Sequence, residues 1–302
     1  MIQFRRAFLG IALAALPVIV GCSSSSTSPP PPTPFPMTRL YVANDGGSGM
    51  VQIFAPPFSA SSTPAVAFKD GASSDVDDVA FDRRGRLYVG SFGTSAVDVF
   101  APPFTNASTS SFSITNGVSA PEGIDVDTAG NLYVGNEGSS QITIYDAPLS
   151  AASTAVATFS GGGGSIRGVK LDSAGNLYAA AGGNVRVFTP PFTNTSTPAF
   201  SFPVANVWGI AFDSTGHLWA VDRLGSSSNV QEFTPPFSSS STPTLTIPTG
   251  TADALYPALD GSGNLYISTE LTITVYMAPL SASSTPAFAF TTPASNGIRF
   301  GP

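Results

Sequence analysis

Asp77, Glu122 and Asn296 carry the donor chemistry in this sequence that best suits a cation: two carboxylates and an amide oxygen, the hard ligands that a divalent ion such as calcium takes. All three stand at one slot of a repeating pattern, just ahead of a position that is usually glycine. Arg167, Trp208 and Leu255 fill the same slot in the other copies, and the next position gives Asp78, Tyr256 and four glycines. Asp77, Glu122, Arg167, Trp208, Tyr256 and Asn296 are therefore the candidate ligand-binding set. Together they can hold a cation or a sugar-like ligand. The same residues also suit a wet polar surface with local Asp–Arg and Glu–Arg pairing. Asp125, Lys170 and Arg299 lie further along the same segments, where charges in a tight wall must pair or stay hydrated.

Other chemistries are excluded residue by residue. Cys22 is the only cysteine, so the part of the chain beyond it has no disulfide, thiol nucleophile or cysteine-held metal. His217 is the only histidine and occupies a turn slot that holds Arg86, Asn131, Asn176 and Asn264 elsewhere. It reads as a solvent-facing hairpin residue, which removes any Ser-His-Asp triad. Asp82, Asp127, Asp172, Asp213 and Asp260 share one turn slot, and no glutamate closes a calcium loop after them. Gly161–Gly164 lacks the Gly-Lys-Ser/Thr ending of a phosphate loop.

The elements that position these residues follow from a repeat. Leu40-Tyr41, Leu87-Tyr88, Leu132-Tyr133, Leu177-Tyr178, Leu218-Trp219 and Leu265-Tyr266 recur at spacings of 47, 45, 45, 41 and 47 residues. Within 121–159, four alternating segments rich in β-branched and aromatic residues are separated by Gly, Asn and Asp turns. No segment carries a capped helical period. Four strands per repeat of about 45 residues predict an all-β, six-bladed β-propeller of four-stranded antiparallel blades. The first strand-like segment, at Arg39, starts inside a blade, and the last, Asn296–Phe300, matches the first strand of a repeat. The C-terminal strand is thus expected to pair with the N-terminal blade and close the ring, which places the candidate set around one mouth of the central channel.

The stretch Pro121-Glu122-Gly123-Ile124-Asp125-Val126-Asp127, running on to Gly130-Asn131-Leu132-Tyr133-Val134, resembles NHL repeats. It is also similar to the wider six-bladed group of SMP-30/gluconolactonase, streptogramin lyase and TolB-type propellers. The likeness covers about residues 39 to 300. The SMP-30 resemblance implies a divalent metal at the mouth, with metal-bound water attacking a lactone, and Asp77, Glu122 and Asn296 have suitable ligand types. The family's full constellation has no close match here. The streptogramin-lyase activity depends on a catalytic histidine that His217 does not supply. One departure from NHL repeats is a motif that follows the third strand at Ala55-Pro56-Pro57-Phe58, Ala101-Pro102-Pro103-Phe104, Thr189-Pro190-Pro191-Phe192 and Thr234-Pro235-Pro236-Phe237. Milder copies are Ala147-Pro148-Leu149 and Ala278-Pro279-Leu280. Proline lacks an N–H and ends a strand, and the Phe or Leu is expected to tuck back against its blade.

Residues 1–21 read as an export leader: Arg5-Arg6 precede an apolar run too short for a membrane span. Ile19-Val20-Gly21-Cys22 resembles a lipobox, which implies lipidation at Cys22, and Arg5–Leu9 resembles a twin-arginine signal. Residues 22–38, rich in serine and then proline, read as a tether, and residues 39–302 as the propeller. Removing the leader takes two of the 12 basic residues and none of the 19 acidic ones, giving 10 − 19 = −9. With Lys69 and Lys170 its only lysines, such a surface excludes nucleic acid as a partner. The expectation is an exported, lipid-anchored recognition module at the bacterial envelope, outer membrane or cell surface, binding a protein, peptide or glycan with no resident cofactor. A metal-dependent lactonase and a purely structural lipoprotein are the alternatives.

Overall fold

The computed structural model describes residues 38–302, except 48, 72–74, 226 and 294. The leader, Cys22 and all but the last residue of the tether lie outside the described residues. Among the described residues there is no helix, and twenty-four strands form six sheets of four.

The inner strands are Val76–Phe81 (blade 2), Pro121–Val126 (blade 3), Ile166–Leu171 (blade 4), Val207–Phe212 (blade 5), Pro257–Leu259 (blade 6) and Ser295–Gly301 (blade 1). Each of blades 2 to 6 runs outward antiparallel from its inner strand. In blade 1 the C-terminal strand Ser295–Gly301 pairs with Arg39–Asn44, Leu40 facing Phe300 and Val42 facing Ile298. Ring closure is thus as the sequence expects, and it leaves no unpaired inner edge at either chain end.

The recurring turn aspartate explains the signature that follows it. The Oδ1 of Asp127 accepts the N–H groups of Ala129 at 2.8 Å and Asn131 at 2.9 Å, and its Oδ2 accepts the Tyr133 hydroxyl at 3.3 Å. Asp172 and Asp260 repeat the set with Tyr178 and Tyr266. Gly130, between the capped amides, sits at φ 92°, where a side chain would be strained. Asp, Gly and Tyr therefore recur together because one carboxylate satisfies both the hairpin and the buried phenol.

The Pro-Pro-Phe motif acts between blades. Phe104 of blade 2 stacks on Phe68 of blade 1 at 6.3 Å, Phe192 of blade 4 on Phe159 of blade 3 at 6.2 Å, and Phe237 of blade 5 on Phe202 of blade 4 at 6.2 Å. Phe58 of blade 1 reaches Tyr266 and Phe290 of blade 6. The residue also meets its own blade as expected, Phe58 lying 6.1 Å from Phe300 and Phe237 6.3 Å from Phe212, so it clasps its blade to the preceding one. Asn106 and Asn194, in the same loops, accept the N–H groups of Ala67 and Thr158 on the preceding blade's outer strand, each at 2.9 Å. The six apolar clusters likewise each draw on two neighbouring blades. Stability is therefore distributed around the ring through blade-to-blade contacts.

Candidate functional site

The inner strands converge so closely that three of their positions admit no side chain. A Cβ on Gly123 would lie 2.6 Å from Gly168 Cα, one on Gly297 2.3 Å from the Asp77 carbonyl, and one on Gly209 2.5 Å from the Tyr256 ring. Gly168, the fourth glycine of this slot, is less crowded: a Cβ there would lie 3.5 Å from the inner strand of blade 5. The space these glycines leave is taken by Tyr256, which is 2% exposed. Its hydroxyl crosses from blade 6 to donate to the carbonyls of Glu122 at 3.1 Å and Arg167 at 2.5 Å. Tyr256 therefore plugs the channel just below the mouth and forms its floor.

Beyond the plug the inner charges pair across the channel. Lys170 Nζ of blade 4 donates to Asp78 Oδ2 of blade 2 at 2.8 Å, and Arg299 Nη1 of blade 1 donates to Asp125 Oδ1 of blade 3 at 2.7 Å. Asp78 also accepts the Ile124 N–H and Asp125 accepts the Leu171 N–H. These carboxylates are tied on several sides and hold the ring's inner diameter. Asp125, Lys170 and Arg299 face a cavity of about 250 Å³ at the far end of the channel, lined also by Phe212, Leu259 and Phe300. A cavity of about 500 Å³ lies between blades 4 and 5, against Tyr178, Asp213 and Phe237.

The mouth has two halves. On one, Arg167 Nη1 donates to Glu122 Oε1 at 2.9 Å and the same guanidinium reaches Glu137 at 3.5 Å. It lies 3.6 Å from the centre of the Trp208 ring, with the Arg223 guanidinium 4.6 Å from that ring. This is a guanidinium–indole cluster, held by the attraction of cations to a π face. On the other half, Asn296 Nδ2 donates to Asp77 Oδ1 at 2.5 Å, and the carboxylates of Asp45, Asp75 and Asp77 come within 4.8 Å of one another. Asp45 sits on a loop of blade 1 and Asp75 just before the inner strand of blade 2.

Three buried oxygens at this end have no hydrogen-bond partner: Glu122 Oε2, Asn296 Oδ1 and Asn44 Oδ1. The two amide oxygens are acceptors only and call for a donor or a cation, and Glu122 Oε2 does so once its carboxyl is ionised. Electrostatics point the same way. Burial, then the negative charges of Glu122, Asp75 and Asp45, push the Asp77 carboxyl up to about 9. Burial raises Glu122 to about 8 even though Arg167 pulls it down. Hydrogen bonding to Asp45, then burial, raises Asp75 to about 6. Asp77 and Glu122 hold protons at neutral pH unless positive charge arrives to replace them.

The structure brings the whole candidate set to one end of the channel, with Tyr256 below and the others around it. Tested as metal ligands, Asp77 and Asn296 are adjacent, but Asn296 presents its amide nitrogen to Asp77 and Glu122 is engaged by Arg167. The three carboxylates that converge are Asp45, Asp75 and Asp77, and Glu122 is outside that group. Sequence reasoning missed Asp75, which belongs to no repeated slot. The acidic run Asp75-Val76-Asp77-Asp78 was the available signal.

Fold and site together define a six-bladed propeller with a plugged channel and an acid-lined mouth. Solved structures share the fold. A candidate 6-phosphogluconolactonase from Bacteroides uniformis is 11% identical with a TM-score of 0.63, covering 86% of this chain and 83% of that one. The periplasmic gluconolactonase of Pseudomonas aeruginosa is 14% identical at 0.60, covering 83% and 82%. A protein from Lactobacillus plantarum is 12% identical at 0.63, covering 87% and 99%. At these identities the likeness shows the fold alone. No family model and no curated protein matches the sequence.

Proposed function

We propose that this chain is an exported, lipid-anchored recognition module of the bacterial cell envelope. Its acid-lined mouth would bind a protein, peptide or glycan segment that presents amino or hydroxyl donors. The observation that carries this reading is the set of buried acceptors without partners, Glu122 Oε2, Asn296 Oδ1 and Asn44 Oδ1, gathered above the Tyr256 floor. Buried polar groups are normally satisfied, and a donor-bearing ligand would satisfy these. The guanidinium–indole cluster of Arg167, Trp208 and Arg223 gives the mouth an opposite electrostatic pole, which would orient such a ligand. Envelope glycans and peptides applied as an array, with Trp208 fluorescence as the readout, test the reading. Binding lost in Asp77→Asn and Asn296→Ala supports it; an array with no responsive probe leaves a structural lipoprotein. Anchoring has its own test: Cys22→Ala should release the protein from membranes, and unchanged retention rejects the lipid anchor.

A second reading, a metal-dependent lactonase, draws on the convergence of Asp45, Asp75 and Asp77 and on the lactonase names of two fold neighbours. Here the carboxylates would hold the ion and the ion would supply an activated water. Thermal unfolding with calcium, magnesium or zinc against EDTA separates the readings. A metal-specific shift abolished by Asp77→Asn, followed by lactone turnover, favours the hydrolase.

A further inference from the structure

Blade 5 departs from the repeat at three positions that meet in space. Its turn slot holds His217 where blades 3, 4 and 6 hold Asn131, Asn176 and Asn264. Its aromatic is Trp219 where every other blade has tyrosine. The residue paired across the sheet from that aromatic is Glu232, whereas the tyrosines of the other blades face Ile53, Val99, Ile144, Val187 and Val275. An acid here forgoes the burial that five β-branched side chains obtain. The compensation is local. His217 is only partly exposed, because its ring is paired rather than free in solvent. Its Nδ1 lies 2.6 Å from Glu232 Oε1 and 3.8 Å from Asp213 Oδ2. Trp219 Nε1 donates to that same Asp213 oxygen at 3.1 Å and fixes it.

We propose that Asp213, His217 and Glu232 form a site for one divalent first-row transition ion of the zinc class, at the outlet end of the inner strand of blade 5. The donor set suits it: one imidazole nitrogen and two carboxylates, with all three ligand atoms within 4.8 Å of one another. Ligands of a tetrahedral zinc, each about 2.1 Å from the ion, stand about 3.4 Å apart, and the observed 2.6 and 3.8 Å bracket that separation. Side-chain exposures of 30%, 15% and 18% leave the group accessible while partly shielded. Asp213, Ser214 and Thr215 also line the cavity of about 500 Å³, so an ion here would carry water on its open side next to that space. This site is separate from the mouth, which lies at the other end of the same strand.

Because His217 is the only histidine in the chain, its imidazole resonances in the untagged full-length protein report on this site alone. The expected result is that Zn²⁺, added after EDTA dialysis, binds by calorimetry and shifts those resonances, and that Co²⁺ added in its place gives a visible d–d spectrum. His217→Asn and Glu232→Val install residues that other blades carry, so the fold persists. Each should weaken zinc binding by at least about tenfold. Zinc binding that does not move the His217 signals, or binding equal in wild type and both variants, overturns the proposal. Absence of binding up to millimolar zinc overturns it as well.

Discussion

The hydroxyl of Tyr256 donates to the carbonyl of Arg167 at 2.5 Å, so the sixth blade is tied to the fourth through the middle of the ring. Its second acceptor, the Glu122 carbonyl, belongs to the third blade. A single side chain therefore links three blades and separates the mouth from the charged cavity beyond it.

Tyr256→Phe should cost about 1–3 kcal/mol, because two buried carbonyls lose a donor that water cannot easily replace. Tyr256→Ala should cost about 3–5 kcal/mol by adding an open cavity. Gly209→Ala, whose new Cβ would lie 2.5 Å from the Tyr256 ring, should cost about 1–3 kcal/mol by overpacking. Urea midpoints check all three. A Tyr256→Phe midpoint equal to wild type would show that the hydroxyl ties nothing.

The mouth acids make stability fall as pH rises. Asp77 and Glu122 have folded-state values of about 9 and 8, raised above those of the unfolded chain. Between pH ~4 and those values the folded state holds protons that the unfolded state has released, so each pH unit can cost up to about 1.4 kcal/mol per group. The contribution is full below the unfolded value and is lost by about pH 9. Unfolding free energies at pH 5, 7 and 9 should decline in that order, and Asp77→Asn should flatten the decline. A flat or rising profile would contradict the buried-acid description.

A second buried acid pair lies between blades 1 and 2, where the Ser91 hydroxyl contacts both Asp70 and Asp98. Burial, then the charge of Asp98, raises Asp70 to about 7. Asp98→Asn removes that charge and should lower the Asp70 value, measurable by carboxyl NMR titration. An unchanged Asp70 titration would mean that burial alone sets it.

Phe192→Ala should cost about 2 kcal/mol, less than a fully buried phenylalanine because the ring is only partly buried. Its partners Phe159 and Tyr133 belong to blade 3, so faster amide exchange should appear in blade 3 as well as in blade 4. Acceleration confined to the loop of Phe192 itself would show that the clasp carries no load between blades.

The sequence by itself determined the number of blades, the strands and the ring closure. Those features depend on local alternation and on a repeat near 45 residues, both readable along the chain. The turn aspartates were equally legible, because each satisfies amides two and four residues away. What only the tertiary structure decided is which side chains meet across the ring: Tyr256 with Glu122 and Arg167, Asp75 with Asp77 and Asp45, Phe192 with the preceding blade. His217 with Glu232 belongs to the same class, since strand register and side-chain direction, rather than sequence spacing, bring them together. The mouth residues could be placed by comparing repeats, but their division into an acidic half and a guanidinium–indole half could not. That division depends on the angular position of each blade and on the rotamer each buried charge adopts to find its partner, and neither is written in the order of residues.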